Sequence, residues 1–309
     1  MQSSVAISRT ALSAGSSSPV HVVRSAFSRL VSAPRRLSRR NEATWRLYNL
    51  LPSVSYRLQA PAMTGEMFRV LEDLDRDGVA VTSASALFHD ASVFADLKTA
   101  VAEREATMAD TLAHRRLEAR AGTAVGQKPY LFEMLGRHPE IDPASPFGRF
   151  ALHDGIAQVA NAYFGMFVRL RFYNVWYNFA TTAPATQSQL WHRDPEDRYI
   201  LKVFVSLSAI DDDNGPFTYA PGTHGKGREH RQPEFTHRDG DTPRSNDAQM
   251  NAVVPSAKWV SGVGPAGTIV FADTRGFHKG GLARSRDRIV YTCEFTSGAG
   301  GRGGVLTGR

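Results

Sequence analysis

The residue pattern changes near position 167, and this change constrains the fold more than any other feature of the chain. From there, aromatic and β-branched segments such as FVRLRFYNVWYNFA, YILKVFVSLSAI and TIVFAD alternate with stretches rich in Gly, Pro, Asn and Asp, which is typical of short β-strands. Upstream, residues 64–76, 92–120 and 150–165 have the apolar spacing or composition of helices. Helices followed by many short strands predict an α+β fold with a β-rich sandwich or barrel as its main body.

Four further segments complete the predicted organisation. Residues 44–60 indicate a short helix broken at Pro52, and GVAVTS indicates a strand. The polar stretch 225–256 is long enough to be a lid, a binding loop or a disordered segment, and we predict a lid loop there, although a solvated loop is the simpler alternative. Residues 297–309 are Gly-rich and predict a flexible tail.

The net charge of +7 belongs to one end of the chain. Residues 1–40 contain seven Arg and no Lys, Asp or Glu, so the rest carries 30 basic and 30 acidic residues. This balance argues against nucleic-acid binding by the folded domain. We predict that residues 1–43 form a basic Ser- and Arg-rich arm, which is either disordered or a targeting peptide; an amphipathic membrane-surface segment is a third interpretation.

Compartment and assembly are only weakly constrained. The single Cys293 excludes an intrachain disulfide and fits a reducing compartment. No apolar run is long enough for a transmembrane span. We therefore predict a cytoplasmic protein, with an organellar location through the arm as the alternative. Nothing in the pattern predicts an oligomeric state.

Two segments match known ligand-binding motifs, but the residues around them do not fit those motifs. DLDRDG at 73–78 imitates the start of a calcium loop, but the twelfth position, which needs a bidentate Glu, is Ala84. GVGPAG at 262–267 fits a dinucleotide-binding pattern literally, but a strand follows it where that motif requires a helix. We interpret the first as a helix end and the second as a turn between strands.

The stretch LWHRDPED at 190–197 predicts part of a metal site. His192 and Asp194 are two apart, so in an extended chain their side chains point to the same face. Two His and one carboxylate form the facial triad of non-haem Fe(II) enzymes. HxD alone is weak evidence, and a third ligand must come from elsewhere: His224, His230, His237 and His278 follow in the chain, and His278 is best placed, after a hydrophobic strand at a Gly-rich turn. Ten residues later, Arg288 opens another strand and could grip a carboxylate bidentately.

These residues resemble the Fe(II)/2-oxoglutarate oxygenases of the phytanoyl-CoA dioxygenase type. The resemblance covers about 170–296 and rests on four segments in order: HRD (192–194), DNGPFTYAPGTHGKG (213–227), AGTIVFAD (266–273) and FHKGGLARSRDRIVYTCEF (277–295). It implies a double-stranded β-helix, a jelly-roll or cupin-like barrel, with flanking N-terminal helices. We expect one oxygenase domain over 44–296, with a helical part at 44–166 and the β-helix core at 167–296.

The resemblance also implies ligands and roles. His192, Asp194 and His278 would bind Fe(II), and Arg288 would bind the distal carboxylate of 2-oxoglutarate. O2 would be the second cosubstrate, with 2-oxoglutarate converted to succinate and CO2 as a small organic molecule is oxidised. Asp194 favours hydroxylation, because halogenating relatives lack this carboxylate.

Other predicted positions are less specific. Asn174 and Phe204 resemble cofactor-lining positions, while Trp191 and His224 are possible substrate or site-lining residues whose alternative is packing. Some relatives carry a hydroxyl residue where this chain has Gly280. Two other arginines are alternatives to Arg288: Arg284 and Arg286.

Two other functions remain open from the sequence. One is another metal-dependent jelly-roll enzyme, such as a cupin-type isomerase, which would need neither Arg288 nor 2-oxoglutarate. The other is a non-catalytic binding module recruited to nucleic acid or acidic membrane by its arm, whose binding would depend steeply on salt. The sequence does not name the substrate.

Overall fold

We describe the fold from a computed structural model, which describes residues 41–124, 126, 128–239, 242–300 and 304–308. The predicted basic arm 1–43 therefore lies, up to residue 40, outside the described residues. The helices are α1 Glu42–Tyr48, α2 Leu50–Gln59, α3 Gly65–Asp77, α4 Ala84–Leu87, α5 Ser92–Thr107, α6 Ala109–Ala121, α7 Pro146–Ala151, α8 Asp154–Phe164 and α9 Asp247–Asn251. None of these helices has the length and hydropathy needed to span a bilayer.

The strands follow mainly after α8. They are β1 Val79–Ser83, β2 Leu131–Glu133, β3 Arg169–Asn178, β4 Leu201–Ser206, β5 Phe217–Tyr219, β6 His237–Asp239, β7 Thr242–Arg244, β8 Val260–Ser261, β9 Thr268–Asp273, β10 His278–Gly280, β11 Arg288–Thr296 and β12 Val305–Leu306. In the described chain they form an antiparallel sheet in the order β1-β9-β4-β11-β3-β12, with β2 also paired to β3, a smaller sheet β10-β5-β8 and the hairpin β6-β7.

Two apolar clusters position the sheets. One packs helices, through residues such as Leu74 and Ile156, against side chains of the large sheet such as Val175. The other joins Phe204 of the large sheet to Phe217 of the small sheet. Mixed helices and antiparallel sheets confirm the α+β prediction, whereas closure of the sheets into a double-stranded β-helix barrel stays a prediction.

Several predicted boundaries need correction. The predicted helix 92–120 is two helices, because the backbone of Met108 leaves the helical region between α5 and α6. The break in 44–60 falls at Asn49, whose side chain bonds the carbonyl of Trp45 at 2.9 Å. Pro52 instead lies in the first turn of α2, where its missing N–H costs no hydrogen bond. The helix predicted to end at Gly165 does so, with that glycine in the left-handed region at φ 66°.

The lid and tail segments contain regular structure. Residues 225–256, predicted as a lid loop, include β6, β7 and α9. The described part of the predicted flexible tail includes buried Ser297 and Ala299, while β12 pairs with β3. The Gly-rich composition suggested flexibility, but backbone pairing and a buried carboxylate partner, Asp197, hold this segment.

Candidate metal centre

The fold brings the three predicted metal ligands together. His192 and His278 face each other in one antiparallel bridge, with N–H to carbonyl distances of 3.0 Å in both directions. Their ring centroids are 4.3 Å apart. The Asp194 N–H donates to the carbonyl of Thr274 at 2.9 Å, which ties the HRD segment to the end of β9. Backbone pairing thus joins ligands that are 86 positions apart in the chain.

The ligand atoms have the spacing of a metal site. One atom from each of His192, Asp194 and His278 lies within 4.8 Å of the others. His192 Nε2 is 3.8 Å from Asp194 Oδ1, and His278 Nε2 is 3.6 Å from Asp194 Oδ2. All three residues are buried. Two imidazoles and one carboxylate on one side of an ion are the donor set of a non-haem Fe(II) facial triad.

Backbone carbonyls fix the orientation of both imidazoles. His192 Nδ1 lies 2.8 Å from the carbonyl of Leu190, and His278 Nδ1 lies 3.1 Å from that of Gly276. Each Nδ1 therefore carries the proton as donor, which leaves the Nε2 lone pair for a metal. Burial lowers the pKa of both histidines, so both are neutral and able to ligate at neutral pH.

Asp194 has a buried cationic partner. Lys202 Nζ on β4 is 2.7 Å from Asp194 Oδ2 and 3.4 Å from Glu294 Oε2 on β11. Burial raises the pKa of Asp194, but the charge of Lys202 and its hydrogen bond to the carboxylate outweigh that effect, so the pKa is lowered well below its usual range. Asp194 is therefore an anion before any metal binds.

Lys202 and Glu294 were not singled out in the sequence, although a signal was present. Lys202 is the one charged residue in YILKVFVSLSAI, and Glu294 is the one acidic residue in RIVYTCEF. Charged residues are almost never buried without a partner. The strand register then places Lys202 directly opposite Glu294.

Arg288 is buried at the start of β11 and has no carboxylate partner among the described residues. Its Nη1 donates to the carbonyls of Asn214 at 2.9 Å and Gly281 at 3.0 Å. Burial lowers its pKa to about 10, and it remains protonated at neutral pH. The guanidinium is thus held in place with its charge uncompensated by the described chain.

Glycines make this arrangement possible. Gly215 adopts φ 72°, and a Cβ there would lie 2.4 Å from the carbonyl carbon of Leu282. A Cβ on Gly281 would lie equally close, at 2.4 Å, to the carbonyl carbon of Gly215. Only glycine allows the two backbones to approach this closely, and the approach delivers both carbonyl acceptors to Arg288.

Arg288 lines a small cavity of about 50 Å³ beside the metal cluster. Phe204 stacks on Phe217 with centroids 4.3 Å apart, and Phe217 stacks on His278 at 5.6 Å. The lining is mainly apolar, with few polar groups: Trp176, Asn178, Phe204, Ser206, Ile210, Phe217, Gly262, Val270, Gly280, Arg288 and Val290. The aromatic stack connects the cavity to His278, and the cofactor-lining role of Phe204 stays a prediction.

The alternative arginines have other roles. Arg284 donates to the carbonyls of Thr181 and Ala183, at 3.4 and 3.2 Å. Arg286 is exposed and paired with Asp211. Neither lines the cavity, so of the three arginines Arg288 alone points its charge into it.

Asn174 does not join this group. Its side-chain oxygen accepts from the N–H of Leu135 at 3.2 Å, and its amide donates to the carbonyl of Gly136 at 2.7 Å. The residue is buried and fastens the turn after β2, and it is not among the residues that line the cavity. The sequence could not show this, because the partners lie 38 or more residues away.

Trp191 packs behind the cluster. It is fully buried, and its Nε1 donates to Asp247 Oδ1 at 2.7 Å. Lys279 also binds Asp247, at 2.5 Å, and Trp259 packs edge-on against Trp191 with centroids 4.7 Å apart. These contacts fasten α9, in the predicted lid, to the HRD segment. Trp191 therefore has the packing role that was its alternative interpretation.

His224 also lies outside the metal cluster. It is buried, with Nε2 3.3 Å from the carbonyl of Asp75 at the end of α3. A Cβ on Gly78 would lie 2.6 Å from the His224 ring, so this turn and the imidazole are closely packed. DLDRDG, the rejected calcium motif, thus ends a helix and supports His224.

One comparison with known proteins, the match to a family model, agrees with this interpretation of the residues. The sequence profile described as phytanoyl-CoA dioxygenase (PhyH) matches residues 57–290, which is most of the chain. No curated protein matches the sequence at a significant level.

Solved structures of similar shape include EctD from S. alaskensis with 2-oxoglutarate and 5-hydroxyectoine. It is 20% identical with a TM-score of 0.49, over 77% of this chain and 79% of that chain. The epimerase SnoN from nogalamycin biosynthesis, solved with Fe3+ and alpha ketoglutarate, is 18% identical with a TM-score of 0.46, over 75% and 84%. AviO1 from Streptomyces viridochromogenes Tue57 is 19% identical with a TM-score of 0.45, over 77% and 98%. Likeness at this level assigns no substrate or reaction to the chain.

The His–Asp–His cluster is consistent with iron and 2-oxoglutarate as cofactor and cosubstrate.

Proposed function

The chain belongs to the phytanoyl-CoA dioxygenase family, and from that premise we propose an Fe(II)- and 2-oxoglutarate-dependent dioxygenase that hydroxylates or otherwise oxidises a small organic molecule. The observation that carries the proposal is the pairing of two features in one place. Two neutral imidazoles and one carboxylate converge on one point. The buried guanidinium of Arg288, whose charge no carboxylate of the described chain compensates, lines the adjoining cavity.

His192, Asp194 and His278 would hold the iron. Their Nε2 atoms and carboxylate converge within 4.8 Å, and both Nδ1 protons are taken by backbone carbonyls, so no ligand has to change tautomer. Lys202 keeps Asp194 ionised and aimed at the cluster. With 2-oxoglutarate and O2 bound, iron at this position supplies the oxidising power that couples conversion of 2-oxoglutarate to succinate and CO2 with oxidation of the substrate.

Arg288 would bind the distal carboxylate of 2-oxoglutarate. One side of its guanidinium is fixed by the carbonyls of Asn214 and Gly281, which presets the orientation of the remaining donors. Phe204 and Phe217 would pack along the carbon chain of the cosubstrate and exclude water from the ion pair. A guanidinium–carboxylate pair is strengthened in such an apolar enclosure.

Succinate formation tests the proposal without knowledge of the substrate. We expect the full-length protein with Fe(II), O2 and a reductant to convert 2-oxoglutarate slowly to succinate in the absence of substrate, and His278→Ala to lose this turnover. Arg120→Gln, an exposed change at the end of α6, is the control and should keep it. Iron binding without any consumption of 2-oxoglutarate would contradict the proposal and favour a cupin-type metal enzyme.

A further inference from the structure

A second cavity, of about 420 Å³, is lined in part by the HRD segment. Arg193, the residue between two of the proposed metal ligands, lines it together with Arg275, His230 and Gln232. The three proposed metal ligands do not line it. The same short segment therefore contributes to two separate sites, one through its ligands and one through Arg193.

Arg193 is fixed in place but keeps an unused donor. Its Nη2 donates to the carbonyl of Thr223 at 2.9 Å, its Nη1 is 3.4 Å from Gln232 Oε1, and the guanidinium stacks on Phe277 at 3.9 Å. Its Nε is buried and has no hydrogen-bond partner within the described part of the chain. A buried N–H without a partner is uncommon, so the described chain leaves the hydrogen-bonding capacity of this guanidinium incompletely used.

Arg275 adds a second cation to the cavity. Its Nη1 donates to the backbone carbonyl of Asp194 at 2.8 Å, and it is near enough to Arg193 for the two like charges to repel. Neither guanidinium forms an ion pair with a carboxylate of the described residues. Asp273, the carboxylate that acts on Arg193, is already bonded by Tyr163 and by the Arg275 N–H.

The other charges around the cavity are engaged elsewhere. Glu229, a carboxylate in its lining, is paired with Arg231 at 2.6 Å. Arg198 is paired with Glu42 at 2.9 Å. What remains facing the cavity is a pair of guanidinium groups that repel each other, and a bound anion would relieve that repulsion.

We propose that this cavity binds a phosphate-type oxyanion, either as the free ion or as the phosphoryl group of a small molecule. Two guanidinium groups that have no carboxylate partner in the described chain match the oxygen geometry of a phosphate, and His230 also lines the cavity. Because Arg275 also holds the carbonyl of Asp194, an anion here contacts a residue that supports the proposed metal ligand. The site is independent of the proposed oxygenase activity.

Calorimetric titration of the full-length protein with inorganic phosphate, at constant ionic strength set with chloride, tests this directly. We expect saturable binding that weakens about tenfold or more in Arg193→Gln, since the variant loses a charge-assisted hydrogen bond to the anion. Arg120→Gln, which makes the same charge change at an exposed position, should bind phosphate as the wild type does. His278→Ala should also retain binding, because the phosphate does not occupy the metal position.

Gln232→Glu is a second variant that tests the site even if Arg193→Gln does not fold. It keeps both arginines and introduces a carboxylate at the exposed position 3.4 Å from Arg193. We expect it to melt as the wild type does without phosphate and to lose phosphate binding. A titration with ethyl phosphate distinguishes a free phosphate ion from the phosphoryl group of a small molecule as the natural ligand. Tighter binding of the ester than of the ion indicates an organic phosphate, and weaker binding indicates the free ion. The proposal is overturned if the wild type binds neither, or if Arg193→Gln and Gln232→Glu bind as the wild type does.

Discussion

Asp194 and Arg288 are two buried charges in adjoining parts of one site, and they differ in whether an oppositely charged side chain lies beside them. Asp194 has Lys202 at 2.7 Å, and Lys202 is shared with Glu294. Arg288 has only two backbone carbonyls and no carboxylate partner in the described chain. A buried charge with a partner is part of the folded structure, whereas one without a partner is completed by a ligand. The charge of Asp194 is therefore compensated within the fold, whereas that of Arg288 is left for an anionic ligand to compensate.

The largest expected effect comes from removing the partnered carboxylate. We expect Asp194→Ala to lower iron affinity by more than about 100-fold and to abolish succinate formation, since altering even residues that only orient metal ligands costs about 10–100-fold. Lys202 keeps Glu294 as a partner, so the protein should still fold. Metal titration and circular dichroism check both parts. Unchanged activity in this variant would remove the iron assignment.

Removing the unpartnered cation should act on the cosubstrate alone. We expect Arg288→Ala to raise the KM for 2-oxoglutarate about 30-fold or more, because losing a buried charge pair costs roughly 2–5 kcal/mol. Arg284→Ala is the matched control, since the Arg284 side chain donates to the carbonyls of Thr181 and Ala183, neither of which lines the cavity, and its KM should stay near that of the wild type. Steady-state kinetics at saturating Fe(II) give both values. A larger effect of Arg284→Ala would mean that the anchor is misplaced.

Lys202 should matter for stability rather than for cosubstrate binding. Lys202→Met removes the cation nearest to buried Asp194 and leaves Glu294 with Arg171 at 3.7 Å, and we expect the metal-free protein to lose about 3–5 kcal/mol of unfolding free energy. A saturating divalent metal should restore part of this loss, because it compensates Asp194. Denaturant unfolding with and without metal measures the effect.

Lys279→Met is the control for that experiment. Lys279 also pairs with a carboxylate, but its partner Asp247 is 60% exposed, so we expect a cost of only about 0–1 kcal/mol for the pair. Equal losses in the two lysine variants would show that the Lys202 pair has no special role.

The smallest expected effect is on pH dependence. Burial lowers the pKa of His192 and His278 in the folded protein, so the unfolded chain binds more protons below the ordinary histidine pKa of about 6.5. The stability of the metal-free protein should therefore be fully present above that pH and fall as the pH drops below it. The lowered pKa of Asp194 acts in the same direction, but only below about pH 4.

Unfolding in EDTA at pH 7.5 and 5.5 measures this slope. A double variant, His192→Gln with His278→Gln, should have a shallower dependence over the same interval. If the slope is the same in both proteins, these histidines are not the groups that titrate.

Residues that depend on local spacing could be predicted from the sequence, whereas their long-range contacts could not. The convergence of the three proposed metal ligands, and the burial of Arg288 beside them, could be predicted because HxD, a later His after a strand and an Arg at a strand start depend on local spacing and family resemblance. The partnership of Lys202 with Glu294 depends on strand register, and the engagement of Asn174 depends on a turn about 38 residues away. The helices break at Asn49 and Met108, and neither residue is a strong helix breaker that a sequence pattern would identify. Local patterns thus identify reactive residues, while long-range contacts decide which of them are already satisfied.

The most direct test of the account is an anaerobic titration of the metal-free protein with Fe(II) and then with 2-oxoglutarate, followed by visible absorption. A weak charge-transfer band that appears in the wild type, is lost in His278→Ala and requires a much higher 2-oxoglutarate concentration in Arg288→Ala is the predicted result. Iron binding without the band in the wild type, or a band whose dependence on 2-oxoglutarate is unchanged in Arg288→Ala, would contradict it.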